Sequence, residues 1–238
     1  VRTVALFRPD DERLARGIDL LKSLDAEPIA DPMLAVEPTG ATPREDAAYT
    51  VLTSKTGVEL AADAGWEPTG EVVAIGEATA AKLRDHGYRV AVVPEEFSSA
   101  GLVAALSGRV PGERCEVARS DHGSAVLTDG LNAAGAYVHE TVLYRLVRPE
   151  ASGRSAELAA RGELAGACFT SSLTVEHFLA AAEARNLRED ALRGLNRAVV
   201  GCIGDPTRET ATALGVAVDV VPEEATFEAL ARAVVERL

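Results

Sequence analysis

The chain repeats itself. Residues 198–203 (A-V-V-G-C-I) run through Gly204 into Asp205-Pro206-Thr207. Residues 72–75 (V-V-A-I) run through Gly76 into Glu77-Ala78-Thr79. The run V-V-P-E-E stands at 92–96 and again at 220–224. Gly204 lies 128 residues after Gly76, and Pro222 lies 128 residues after Pro94. Upstream, Leu52-Thr53-Ser54 matches Phe169-Thr170-Ser171 at an offset of 117, so the second copy holds eleven extra residues, placed near 185–194. Solenoid periods are roughly 20–50 residues, so a repeat this long is a duplicated domain. At 238 residues the chain accommodates two domains of about a hundred residues each.

Each copy reads as strand, glycine, helix. The runs before Gly76 and Gly204 are short and apolar throughout, as strands covered on both faces are. The glycine permits a tight turn. Asp205 is the expected N-cap of the next helix, with Pro206 as its first residue. Backbone N–H groups at such a helix start face whatever lies beyond the strand end and favour anions. The same alternation continues elsewhere, with strands expected at 3–7, 27–30, 49–52, 90–93, 115–118, 137–146, 167–169 and 217–221. Strands alternating with amphipathic helices predict an α/β fold with parallel sheets wound on both faces.

Each copy has a head (strand, arginine, helix, strand) at 4–30 and 115–138, and a tail running from Thr-Ser through Pro-Glu-Glu. The joint 107–113 between the first tail and the second head is short, as connections within a domain are. The joints 31–45 and 143–153 are long and proline-bearing. These lengths predict crossed domains: 1–34 with 149–238, and 41–141, with 35–40 and 142–148 as a two-stranded linker. Contiguous halves, 1–108 and 114–238, are the alternative.

Charge and composition exclude several classes. The net charge is −13, with three lysines, Lys22, Lys55 and Lys82. Nucleic-acid binding wants a basic face, so it is excluded. The acidic, lysine-poor composition predicts a fold suited to molar salt. The apolar runs fall far short of the roughly 20 residues a membrane span needs, and no signal peptide is visible. A cytoplasmic monomer is expected. Cys115, Cys168 and Cys202 are odd in number and widely spaced, which predicts buried thiols and neither disulfides nor a zinc site. His86, His122, His139 and His177 share no metal-ligand spacing. Nucleophile-elbow, phosphate-loop and dinucleotide glycine patterns are absent.

The ordered set Arg8-Pro9, Thr53-Ser54, Gly76-Glu77-Ala78-Thr79, Val93-Pro94-Glu95-Glu96, Tyr144, Phe169-Thr170-Ser171-Ser172, Ile203-Gly204-Asp205-Pro206-Thr207 and Pro222-Glu223-Glu224 resembles the uroporphyrinogen-III synthase family. The resemblance spans nearly the whole chain. It implies two similar flavodoxin-like domains joined by a two-stranded ladder, the first built from both chain ends. It implies a lyase that closes the linear tetrapyrrole hydroxymethylbilane to uroporphyrinogen III. Water is lost and ring D is inverted through a spiro intermediate, without cofactor or metal. Hydroxymethylbilane synthase is the implied source of substrate. One departure is that the family often has glycine after the arginine at the place of Arg119, where Ser120 stands here.

The substrate carries carboxylates around its rim, and ligands of doubly wound sheets collect beyond the carboxyl ends of the strands. The repeated motifs lie there. Arg8 and Arg119 follow equivalent strands and either meet carboxylates or pair with Asp10 and Asp121. Thr53, Ser54, Thr170, Ser171 and Ser172 either cap helices or hold substrate, and Lys55 is solvated or meets a carboxylate. Gly76 with Thr79, and Gly204 with Thr207, offer helix starts worth about 0.3–1 kcal/mol each to an anion when exposed. If the two domains face each other, these ends line one cleft. The resemblance makes Tyr144 the acid that helps water leave, the alternative being a packed strand tyrosine. A two-domain anion-binding protein or sensor and a two-domain glycosyltransferase are the rival readings.

Overall fold

A computed structural model describes residues 2–238 of the chain. The strands are β1 (Thr3–Leu6), β2 (Glu27–Ala30), β3 (Ala35–Pro38), β4 (Tyr49–Leu52), β5 (Glu71–Ala74), β6 (Val90–Val92), β7 (Arg114–Ser120), β8 (Tyr137–Val147), β9 (Gly166–Phe169) and β10 (Val199–Cys202). The helices are α1 (Glu12–Ser23), α2 (Lys55–Asp63), α3 (Glu77–Asp85), α4 (Ser99–Leu106), α5 (Ala125–Ala133), α6 (Arg154–Arg161), α7 (Ser172–Glu183), α8 (Arg188–Leu195), α9 (Asp205–Ala213) and α10 (Phe227–Glu236). The chain divides into two compact units, Val1–Ala35 with Val147–Leu238, and Val36–Leu146.

The first unit is built on a parallel sheet ordered β10-β9-β1-β2. Val4 pairs with Gly166, so the start of the chain and its last third share one sheet. The side chains of β1 alternate between two cores, as the pleat requires. Val4 and Leu6 join Cys168 and helices α1 and α10, while Ala5 and Phe7 join Phe169 and Phe178. Phe7 stacks on Phe169 with ring centroids 4.5 Å apart, and Phe178 meets both edge-on. Helix α1 starts where Asp11 accepts the Arg13 N–H at 2.8 Å, and it turns Leu14, Gly17 and Leu21 inward.

One expectation holds in this unit and one changes. The eleven extra residues fall on α8 and its approach, and α8 lies backbone to backbone on α6. A methyl group at Gly194 would come within 1.7 Å of the Ala159 carbonyl oxygen. The strand expected at 217–221 is a single bridge between Val220 and Gly201. Its neighbour Asp219 turns a carboxylate oxygen onto the Val200 N–H at 2.8 Å, so a side chain takes a donor that a ladder carbonyl would use.

The return of the chain into this unit is fixed by Asp31, which is 3% exposed. Its carboxylate accepts the Gly153 N–H at 2.9 Å, the Ser155 N–H at 2.8 Å and the Ser155 hydroxyl. Gly153 is the N-cap of α6 and has no side chain to offer, so Asp31 caps that helix from 122 residues away. Gly153 sits at φ +119°, a conformation that only glycine adopts without strain.

The second unit carries a sheet ordered β3-β8-β7-β4-β5-β6, in which β4 through β8 pair in parallel. Residues 35–40 and 142–148, expected as a linker, fall largely on β3 and the end of β8, which are neighbours in this sheet. The Thr39 hydroxyl reinforces them by donating to the Val142 carbonyl at 2.7 Å. Val51, Val73 and Val117 face one core and Leu52, Ala74 and Ala118 the other. Trp66 is 1% exposed, and its indole N–H donates to the Arg44 carbonyl at 3.3 Å.

The two units share one winding order. The series β2, β1, β9, β10 and the Val220 bridge in the first corresponds to β8, β7, β4, β5, β6 in the second. All three cysteines are buried and unpaired, on β7, β9 and β10. Burial pushes the Cys168 and Cys202 thiols up to about 12 and the Cys115 thiol to about 11.

Candidate functional site

Where the strand order of a doubly wound sheet reverses, the connections leave in opposite directions and open a crevice at the carboxyl ends. In the first unit this point lies between β1 and β9, and in the second between β7 and β4. Arg8 and Thr170–Ser172 flank the first crevice. Arg119, Ser120, Thr53, Ser54 and Lys55 flank the second. Gly76 follows β5 and Gly204 follows β10, one strand further out in each unit.

In the second unit the strand-end residues converge on Ser54. It is the N-cap of α2, and its Oγ accepts the Gly57 N–H at 3.0 Å. The Tyr144 hydroxyl donates to the same oxygen at 2.9 Å. With two bonds received, the Ser54 hydroxyl keeps its own hydrogen for an outside acceptor. Tyr144 sits within β8 and is 6% exposed, in the core cluster that also holds Leu52, Val58 and Leu143. Ring packing therefore fixes the phenol in place behind the serine. Lys55 begins α2 and is exposed, and Thr53 is half-buried.

Arg119 is 4% exposed. Its Nε donates to Glu140 at 2.7 Å and one terminal nitrogen to the Ser124 carbonyl at 2.6 Å. Asp121, its expected partner, instead holds His122 at 2.8 Å and the Leu146 N–H at 3.1 Å. Glu140 gives no sequence signal for this pairing, because it belongs to the neighbouring strand, 21 residues on. Gly123 lets the guanidinium pass, since a methyl there would lie 2.3 Å from it.

The equivalent arginine of the first unit behaves differently. Arg8 lies over the Phe227 ring, 4.8 Å from its centroid, and not on Asp10. Burial first and the charge of Arg13 second lower its pKa from the ordinary value. Ser171 caps α7 in a reciprocal box with Thr174. The Ser172 hydroxyl donates to the Pro206 carbonyl at 3.1 Å and accepts from Thr210 at 2.9 Å, tying the start of α7 to that of α9.

Gly76 and Gly204 are the N-caps of α3 and α9, so Gly204 replaces Asp205 in the expected capping role. Asp205 is instead the first helical residue and pairs with Arg208 at 2.9 Å. Neither glycine offers a capping oxygen, so these helix starts keep N–H groups available to a ligand. Thr79 and Thr207 are 5% and 4% exposed, so they brace the first turns from within.

The opposite edge of the second unit's sheet is also concave. A hollow of about 640 Å³ lies at the amino ends of β4, β5 and β6, between Glu71, Arg89 and Arg109. Another of about 320 Å³ lies beside β7 and β8. There Glu116 is fully buried, with one carboxylate oxygen on His139 at 2.7 Å and the other without a partner. These hollows lie away from the helix starts, where the amide donors are, and the crevice rule places a ligand at the carboxyl ends. Among the described residues no three potential ligand side chains converge as a metal site would need. No helix among them is long and apolar enough to cross a membrane.

Comparison with known proteins places this architecture. The family model for uroporphyrinogen-III synthase HemD matches residues 16–232. A candidate uroporphyrinogen-III synthase of Methanothermobacter thermautotrophicus is 29% identical over 242 residues, with 94% of each chain covered. The crystal structure of a mutant uroporphyrinogen III synthase of Thermus thermophilus superposes with a TM-score of 0.67 at 19% identity, covering 98% of this chain and 97% of that one. The uroporphyrinogen-III synthetase of Helicobacter pylori gives a TM-score of 0.63 at 14% identity, covering 100% and 99%. The chain belongs to the uroporphyrinogen-III synthase family, a family of cyclising lyases.

Proposed function

We propose that the protein closes hydroxymethylbilane to uroporphyrinogen III with loss of water and inversion of ring D. The observation that carries this reading is the Tyr144–Ser54 pair at a strand-end crevice, in a chain of this family. The helix starts at Gly76 and Gly204 and the hydroxyls of Thr170 and Ser171 take up substrate carboxylates, one set on each unit. Arg8 adds a cation on the first. Such donors hold a polyanion without a basic surface, and at about 1 M salt a Debye length near 3 Å screens the negative bulk charge.

The chemistry asked of the protein is modest. The hydroxyl of hydroxymethylbilane leaves as water once it receives a proton, and the pyrrole nitrogen supplies the electron pair that forms the azafulvene cation. Ser54 gives its proton to the departing oxygen and takes the Tyr144 phenol's proton in its place, and the proton lost at the final step restores the phenol. Closure at the substituted carbon of ring D gives the spiro intermediate. Its fragmentation and reclosure invert that ring. Loss of a proton then restores the aromatic pyrrole. Holding the two ends so that direct closure is blocked accounts for the choice of isomer.

Hydroxymethylbilane closes unaided to the symmetric type I isomer, so the product ratio is the test. With the protein present the type III isomer should dominate. A ratio equal to that of the buffer control would leave a two-unit anion binder as the reading.

A further inference from the structure

Building on the proposed reaction, we infer that Phe97 is the platform on which the second unit stacks one pyrrole ring of the substrate. The chain has five phenylalanines. Phe7, Phe169 and Phe178 are fully buried and Phe227 is 8% exposed, whereas Phe97 is 64% exposed. It stands in the loop between β6 and α4, at the same carboxyl edge as Ser54 and Gly76. Its ring is held against the start of α3, because a methyl built on Gly76 would lie 3.2 Å from Phe97 Cγ.

The loop that presents this ring is pinned. The Ser98 N–H donates to the Glu96 carbonyl at 2.8 Å, and the Ser98 hydroxyl donates to the Glu96 carboxylate at 2.8 Å. The Gly101 N–H donates to Ser98 Oγ at 2.9 Å. A methyl at Gly101 would lie 2.0 Å from the Glu96 carbonyl oxygen, so loop and helix touch backbone to backbone. An apolar ring fixed in water on such a loop has already lost the freedom that binding would otherwise cost.

The position suits a ring whose edge carries acids. A pyrrole stacked on Phe97 brings its carboxylates to the free N–H groups at the start of α3. β6, β5 and β4 are successive neighbours, so the loops of Phe97 and Ser54 stand two strand spacings apart, about 10 Å. Linked pyrroles can reach both. The repeat has no counterpart, since Ala225 lies 128 residues after Phe97 and the nearby Phe227 is covered by Arg8. An aromatic platform on one unit alone fits a substrate of which a single ring is inverted.

Steady-state kinetics with hydroxymethylbilane test this. Phe97→Ala should raise KM about fivefold with kcat and melting temperature unchanged, and Phe97→Trp should keep KM within about twofold of the parent. An unchanged KM in Phe97→Ala, or an equal loss in both variants, overturns the stacking role while the type III product of the parent chain upholds the reaction. A parent chain that gives only type I isomer overturns the reaction and the platform together.

Discussion

Tyr144→Phe should slow turnover at least about tenfold, some 1.4 kcal/mol of barrier, with little change in KM. The substitution keeps the ring in the core cluster it shares with Leu52, Val58 and Leu143 and removes only the hydroxyl that meets Ser54 at 2.9 Å. Its cost to folding is one hydrogen bond, about 1 kcal/mol, so the variant should remain folded at room temperature. Ser54 then loses the donor behind it, and its hydrogen is less readily given to a leaving hydroxyl. Ser54→Ala should slow the reaction as well, and would also cost about 1 kcal/mol of helix capping. Full activity in Tyr144→Phe, measured as the initial rate of type III product, would remove the tyrosine from the chemistry.

The other large effect is on stability. Asp31→Ala should destabilise the first unit by about 3 kcal/mol, because three buried donors from Gly153 and Ser155 lose a charged acceptor together. For a chain of this size that lowers the melting temperature by about 10 °C. Asp31→Asn should fall between, since an amide restores one acceptor but turns an N–H toward a donor. Ser155 is fully buried and Ser152 nearly so, which leaves little room for water to substitute. A melting temperature within about 2 °C of the parent would show that the capping of α6 does not depend on this carboxylate.

Much of the architecture is legible in the sequence because it is local or repeated. Ser54 and Ser171 read as helix starts since each lies within three residues of the N–H it accepts. The runs at 72–75 and 198–203 read as buried strands because both of their faces are apolar. What stayed hidden depends on residues brought together from far apart. Asp31 reads as part of a structureless joint, yet it caps a helix 122 residues away. Arg119 reads as a partner of Asp121 or of a ligand carboxylate, and only the neighbouring strand supplies Glu140. The apolar alternation at 217–221 promises a strand, but the Asp219 side chain takes the Val200 N–H and pairing stops at one bridge.

The same distinction governs the site. The sequence marks which loops carry hydroxyls, amides and the tyrosine. It does not mark that Thr79 and Thr207 turn inward, nor that Tyr144 and Ser54, 90 residues apart, share a hydrogen bond. Phe97 carried no signal beyond being an aromatic residue after a repeated acidic turn. The two equivalent arginines look alike in sequence, and packing alone separates Arg119 on Glu140 from Arg8 on Phe227.

Amide chemical-shift mapping with uroporphyrinogen III, kept reduced, tests most directly where the ligand sits. Shifts should concentrate at Ser54–Gly57, Gly76–Thr79, Ser171–Thr174 and Gly204–Thr207. Shifts confined to the opposite edge, around Tyr49, Glu71 and Arg109, with those four segments silent, would contradict the proposal that the strand-end helix starts hold the substrate.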